Sequence, residues 1–139
     1  MVGSILRYAR AFDLTVVMTI SIISTEQAQA TNKMINNAKQ FLNYLSSNPN
    51  AMMQYYASGM ILNIHSDALY LSDRNSKSRS SGIFLLVWIP CNGKPIKING
   101  AIYMLCTILK FVALSAAEAE LGALFINLEE ARIVQLTLA

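Results

Sequence analysis

Charge, histidine and cysteine are all scarce in this sequence. Charged residues make up 14% of its 139 positions, against about 25% in an ordinary soluble domain. The single histidine is His65, and the two cysteines, Cys91 and Cys106, have neither the spacing of a zinc site nor that of a redox motif. We therefore expect both cysteines to be ordinary thiols in a reducing compartment.

Long apolar runs are missing as well, although hydrophobic residues make up 54% of the chain. The longest runs, Leu14–Ile23 and Ile83–Ile89, are shorter than the roughly 18 residues that a membrane helix needs. The net charge of +3 is compatible with a nucleic-acid partner but does not indicate one. These features predict an intracellular protein, cytoplasmic or nuclear, that does not insert into a membrane.

The first thirty residues leave one alternative open. Arg7 and Arg10 precede the apolar run Leu14–Ile23, and Ala28–Ala30 has the small-residue pattern of a signal-peptide cleavage site. Asp13 and the hydroxyl residues within the run weaken this signal. If residues 1–30 act as a signal, the protein would be secreted.

The hydrophobic period changes near residue 58. Before it the period is helical, most clearly from Thr31 onwards, and Asp13 is placed to cap the second helix. After it, Met60–Leu69 alternates as a strand does, with Leu62, Ile64 and Ala68 on one face. The pattern predicts a helical segment over residues 1–58 and a mixed domain over residues 59–139, hence an α/β (α+β) protein.

Two more strands and a helix are predicted in the mixed domain. Ile83–Ile89 is apolar throughout, which is typical of a strand buried on both faces. Pro90–Gly93 predicts a hairpin connection, and Pro95–Tyr103 the third strand. From Ser115 the helical period returns. The apolar stripe expected to cover the sheet consists of Leu121, Leu124, Phe125, Leu128 and Ala131.

Carboxylates in the mixed domain are the candidates for chemistry. Asp67 lies late in an otherwise hydrophobic strand, where a charge must be exposed, paired or bound to a cation. Glu118 and Glu120 open the last helix, where a carboxylate also interacts favourably with the helix N-terminus. A strand aspartate and a helix glutamate over one sheet would offer the hard oxygen ligands that Mg²⁺ prefers. The alternatives are that Asp67 is simply solvated and that the glutamates cap the helix. His65 lies beside an aspartate, and a histidine in such a position is more often structural than catalytic.

Arg74–Arg79 is a polar, basic segment between the first two predicted strands. Its cations Arg74, Lys77 and Arg79 are candidates for contacts with nucleic-acid phosphates. An ordinary solvated loop is the alternative.

Four segments follow one another in a specific order. They read HSDA at His65–Ala68, RSSGIFL at Arg79–Leu85, NGAI at Asn99–Ile102 and VALSAAEAELGAL at Val112–Leu124. In this order they resemble the ribonuclease H domain of copia-type retrotransposon polyproteins, whose helix signature is VALSxAEAEYxAL. Upstream, Val2–Ala9 and Ala38–Leu45 resemble the end of the reverse transcriptase and the thumb-like helix after it.

The resemblance implies a helical thumb- or connection-like segment, followed by an incomplete ribonuclease H-like fold with a three-stranded antiparallel meander and the first helix. It also implies cleavage of the RNA strand of RNA–DNA hybrids, with Mg²⁺ as cofactor. Asp67 matches the family's first-strand catalytic aspartate and Glu120 its catalytic helix glutamate, so these two would be the metal ligands. Glu118 matches a signature residue to which we assign no metal role.

Departures from the family bear on activity. Leu69 stands where the family has a second strand aspartate, and the 139 residues end before the family's next strand, which carries another catalytic aspartate and pairs beside the first strand. We therefore expect a truncated or decayed copy of the element, inactive or nearly so as this chain. Its exposed sheet edge would favour self-association. The alternative is a non-catalytic module that binds nucleic acid or a protein partner.

Overall fold

The computed structural model describes residues 2–27, 31–88 and 98–138, with the backbone alone at Arg74. Within these residues the chain forms four α-helices and one antiparallel sheet, a mixed helix-and-sheet (α+β) architecture. It divides into two compact units, Met1–Met53 and Gln54–Ala139. The predicted signal-cleavage pattern at residues 28–30, the predicted hairpin at residues 90–93 and Cys91 lie outside the described residues.

The first unit is helical, with α1 at Val2–Phe12, α2 at Val17–Glu26 and α3 at Asn32–Ser47. Asp13 accepts a hydrogen bond from the Thr15 N–H at 3.1 Å and caps the short 3-10 helix that leads into α2, so the predicted cap is confirmed. No helix in the described residues is both long enough and apolar enough to cross a membrane. The buried core of the unit consists of Ala9, Leu14, Val16, Val17, Ile20 and Phe41.

The second unit contains the sheet, in which β1 (Ile61–Leu69), β2 (Arg79–Val87) and β3 (Ala101–Ile108) pair antiparallel in the order β1-β2-β3. The predicted first strand is confirmed to within one residue. The predicted second strand is wrong in its start, because β2 begins four residues earlier. The predicted third strand, Pro95–Tyr103, is wrong in its end, because β3 spans Ala101–Ile108, and residues 95–97 of the prediction lie outside the described residues. Backbone pairing continues through polar residues here: Ser80 lies opposite Ala68, and Ser81 lies opposite Asp67.

The segment before β1 is tied to the segment before β3. Asn99 Nδ2 donates to the Tyr56 carbonyl at 3.1 Å, and its Oδ1 accepts from the Tyr56 N–H at 2.8 Å. Trp88 Nε1 donates to the Ala57 carbonyl at 2.8 Å. These bonds attach residues 54–57 to the second unit, which is why the division falls before residue 54 and not at the predicted residue 58.

The last helix, α4, spans Ala116–Leu138 and packs on β1 and β2. Its buried face consists of Ala119, Ala123, Asn127 and Ala131. The predicted stripe is therefore wrong except at Ala131: Leu121, Leu124, Phe125 and Leu128 are 44% to 68% exposed. Small residues face the sheet because the helix approaches it closely. A Cβ on Gly82 of β2 would lie only 2.7 Å from Asn127 Cγ.

Candidate functional site

Asp67 lies near the end of β1 with its side chain exposed. Its two neighbours face α4, since Ser66 accepts a hydrogen bond from Asn127 and Ala68 packs on the buried cluster around Ala119. Successive side chains of a strand point to opposite faces. Asp67 therefore lies, with His65, on the face of the sheet away from α4.

Glu120 lies in the second turn of α4, directly after the buried Ala119, and is exposed. Among the described residues, neither Glu120 nor Asp67 has a side-chain hydrogen bond or an ion pair. Both carboxylates are therefore exposed to solvent.

The donor chemistry of this pair can be compared with what Mg²⁺ requires. Carboxylate oxygens are suitable ligands, and Mg²⁺ usually takes one or two of them while keeping several waters. A site with two ions, however, needs a larger set of ligands that holds both ions together. In the described part of the chain no three His, Cys, Asp or Glu residues gather into a metal-binding group. Asp67 and Glu120 fit the ligand type, but the structure does not bring the predicted pair together over one face of the sheet, because Asp67 lies on the face away from α4 and Glu120 lies on α4. Mg²⁺ binding stays a prediction.

Glu118 has a structural partner that Glu120 lacks. Its Oε2 accepts a hydrogen bond from the Leu114 N–H at 2.7 Å, while its own N–H donates to Ser115 Oγ at 3.2 Å. This reciprocal pattern is a variant of the capping box, in which a serine and a glutamate three residues later satisfy the free N–H groups at a helix start. The two glutamates of the Ala-Glu-Ala-Glu run therefore differ: Glu118 caps α4, and Glu120 is available.

Asn127, which the sequence patterns did not single out, joins α4 to the sheet. It is fully buried, and its Nδ2 donates to Ser66 Oγ at 2.7 Å and to the Ser81 carbonyl at 2.9 Å. Its spacing was the available signal, because it lies four residues after Ala123 and four before Ala131 on one helix face. This link positions α4, and with it Glu120, on the sheet.

The basic segment differs from the predicted solvated loop. Arg79 lies inside β2, is 3% exposed and forms an ion pair with Asp73, so its placement in a solvated loop is wrong. Its Nη1 also lies 4.0 Å from Cys106 Sγ. The physical reason is that β2 begins four residues before its apolar run, so Arg79 is the first residue of the strand and not part of the loop. A role of Arg79 in phosphate binding stays a prediction, and the burial of its side chain argues against direct contact with a phosphate.

The remaining cations of the segment lie in a tight turn between β1 and β2. Arg74 begins a 3-10 turn, Arg74–Ser76, and Lys77 is half-buried. The Asp73 N–H donates to the Lys77 carbonyl at 2.9 Å and closes the turn. Since the ion pair neutralises Arg79, the predicted phosphate contacts fall to Arg74 and Lys77.

The second unit thus combines two exposed carboxylates on β1 and α4, a buried amide that joins these elements, and a basic turn after β1. No protein-family model, no curated protein and no solved structure matches this chain.

Proposed function

We propose that the chain is a relic of the ribonuclease H domain of a copia-type retrotransposon polyprotein, with the end of the reverse transcriptase before it. Its ancestor would have cleaved the RNA strand of RNA–DNA hybrids with Mg²⁺. The observation that carries the proposal is the order of elements in the second unit, in which antiparallel β1, β2 and β3 are followed directly by α4 lying across β1 and β2. This is the order that the resemblance implies for the start of the nuclease domain.

The resemblance matches Asp67 on β1 and Glu120 on α4 to the family's catalytic acids, and both side chains are exposed. The helices of the first unit agree with a thumb- or connection-like segment. We further propose that this chain alone does not cleave. Hydrolysis of a phosphodiester by two metal ions needs carboxylates that hold both ions together, whereas Asp67 lies on the face of the sheet away from the helix that carries Glu120. What would persist is binding of the hybrid through backbone shape and 2′-hydroxyls, without base specificity.

The test uses the full chain, shown to be folded by circular dichroism, with a labelled RNA–DNA hybrid in Mg²⁺. Asp67→Asn and Glu120→Gln are compared with Glu129→Gln, an exposed glutamate on the same helix that serves as the matched control. We expect no cleavage by any of the four proteins, and tighter binding of the hybrid than of DNA duplexes of the same sequence. Equal affinity for the two duplexes, or a base preference, would contradict the proposal. Cleavage lost in Asp67→Asn and Glu120→Gln but kept in the control would show a complete site and overturn the proposed inactivity.

An intracellular location, cytoplasmic or nuclear, accompanies this proposal, since the hybrid is made inside the cell. Mass determination of the N-terminus of the expressed protein tests it. An N-terminus processed after Ala30 would instead support secretion.

A second candidate function, a non-catalytic partner-binding module, is favoured by the edge of the sheet. Among the described residues β1 pairs with β2 alone, so its outer N–H and C=O groups line an open edge nine residues long. An open edge is a template for another strand. Binding of a partner or of a second copy there would need no catalytic acid.

A further inference from the structure

The open edge of β1 lacks the features that protect edge strands. Such strands are usually interrupted by proline, by lysine or by a bulge. The nine residues of β1 contain neither proline nor lysine, and their register with β2 runs without a break from Ile61 to Leu69. The opposite edge differs, because Tyr55 Oη donates to the carbonyl of Ala101 at the start of β3. The edge of β1 is therefore the better template.

A row of large apolar side chains lies beside this edge, on α4. Leu124 is 44% exposed and Leu128 is 56% exposed. Their side of the helix follows from Gly122, which packs against Phe111 and Leu109 just after β3. Steps of about 100° per residue place Leu124 and Leu128 roughly opposite Gly122, and hence toward β1 and its open edge. Exposed apolar surface of this kind usually marks an interaction site.

We infer that the occupant of this surface is a second copy of the chain. The two β1 strands pair antiparallel about a twofold axis through Ser66, which joins the two sheets into one and brings both α4 helices to the same face. The inference rests on the second candidate function above, because it names the partner of the open edge.

The spacing of the elements supports a second copy. Since α4 contacts both β1 and β2, we place its axis midway between these strands, about half a strand spacing inside β1. The proposed twofold axis would lie about half a spacing outside β1. With strands about 4.8 Å apart, the two helix axes would be roughly 10 Å apart. Helices in direct contact are about 8–10 Å apart, so the same pairing that satisfies the strand edge also buries Leu124 and Leu128.

The charges on β1 select the register. With Ser66 on the axis, His65 of one copy lies directly opposite Asp67 of the other, and the twofold axis repeats this pair. Both residues lie on the face away from α4, and directly opposed residues have Cβ atoms about 5 Å apart. An imidazole N–H can donate to the carboxylate across the interface. This register therefore gives the one negatively charged side chain of β1 a complementary neighbour.

The contact between α4 and β1 also supports a twofold axis through Ser66. Asn127, the middle residue of α4, donates to Ser66 Oγ at 2.7 Å. An axis through Ser66 therefore passes close to the centre of the helix, and the two α4 helices meet along their middle turns. Leu124 and Leu128 flank Asn127 there.

Sedimentation equilibrium of the full chain over a range of concentrations tests the inference, without hybrid or Mg²⁺. We expect a monomer–dimer equilibrium. His65→Asp places two like charges opposite each other twice and should weaken the dimer about tenfold. Asp67→Lys combined with His65→Asp restores opposite charges and should return the dissociation constant to within about threefold. Failure of this rescue would overturn the register.

The proposed contact between the two α4 helices is tested separately. Leu124→Ser and Leu128→Ser, both at exposed positions that leave the core intact, should each weaken the dimer about tenfold. Leu136→Ser is the matched control, because Leu136 is 72% exposed but lies roughly 100° around the helix from the other two. A monomer at every concentration would overturn the inference, and so would equal effects of all three substitutions. Neither result bears on hybrid binding or cleavage, so a failure here is distinct from a failure of the nuclease ancestry.

Discussion

Asn127 and Ser66 join the last helix to the first strand through a single hydrogen bond of 2.7 Å. The same amide also donates to the Ser81 carbonyl, so both of its N–H groups are used, while its Oδ1 has no partner among the described residues. Turning the amide over would point Oδ1 at the Ser81 carbonyl, which cannot donate a hydrogen bond, so this carbonyl fixes the orientation of the amide. One buried side chain thus sets the depth at which α4 lies on the sheet.

Replacement of Asn127 should destabilise the second unit. Asn127→Ala loses two hydrogen bonds and leaves a small cavity, and we expect the free energy of unfolding to fall by about 2–3 kcal/mol. Asn127→Asp should be worse near neutral pH, because a buried carboxylate cannot donate to the Ser81 carbonyl. Urea unfolding measures both variants. Gln135→Ala, at an exposed position of the same helix, should stay within about 0.5 kcal/mol of the parent, and an equal loss there would refute the role of Asn127.

Gly82 should be sensitive to substitution only while Asn127 is present. A Cβ at residue 82 would lie 2.7 Å from Asn127 Cγ, so Gly82→Ala forces the helix outward. We expect a loss of about 2 kcal/mol in unfolding free energy, as for other overpacked cores. In the Asn127→Ala background the clash is gone. The double variant should therefore lose at least about 1 kcal/mol less unfolding free energy than the sum of the losses of the two single variants. Additive losses would show that the close approach is not the cause.

The two glutamates at the start of α4 should respond differently to removal. Glu118→Ala and Ser115→Ala each remove one half of the reciprocal cap, and each should cost about 1 kcal/mol of stability. Glu120→Ala should change stability by less than about 0.5 kcal/mol, because Glu120 is exposed and takes no part in the cap. Thermal unfolding monitored by circular dichroism separates the three. A loss at Glu120 as large as that at Glu118 would contradict the division of roles.

The ion pair between Asp73 and Arg79 should be structural. Arg79 is 3% exposed and Asp73 15%, so Asp73→Asn leaves a buried guanidinium with less compensating charge. The expected cost is about 3 kcal/mol in unfolding free energy. Asp73→Asn combined with Arg79→Met removes both charges and should recover part of this loss. No recovery in the double variant would indicate that Arg79 is held mainly by other contacts.

Lys77 should contribute to hybrid binding in a salt-dependent way. The slope of log affinity against log salt concentration is negative, and if Lys77 contacts one phosphate, Lys77→Gln should reduce the magnitude of this slope by about 0.9. Fluorescence anisotropy at several salt concentrations measures this slope. Lys33→Gln, an exposed lysine in α3 of the first unit, is the control for general loss of positive charge. Equal changes in both variants would assign the effect to net charge and not to the turn after β1.

Local features of the fold could be predicted because they depend on near neighbours in the chain. The alternation in Met60–Leu69 correctly indicated β1 and the face that carries Ala68, and Asp13 was correctly expected to cap the helix after it. The predicted start of β2 was wrong, because backbone pairing with β1 continues through Ser80 and Ser81. These polar residues do not continue the apolar pattern from which the strand was predicted. The same error moved Arg79 into the predicted loop.

By itself the sequence determined the helical first part, the change of period near residue 58 and the alternation of β1, since each depends on contacts between residues close in the chain. Only the tertiary structure decided which face of α4 is buried. The stripe through Leu124 and Leu128 and the stripe through Ala119 and Asn127 recur at the same helical spacing, and hydrophobicity favours the larger residues. Close approach of α4 to Gly82 admits only the small ones, and the hydrogen bonds of Asn127 hold the helix there.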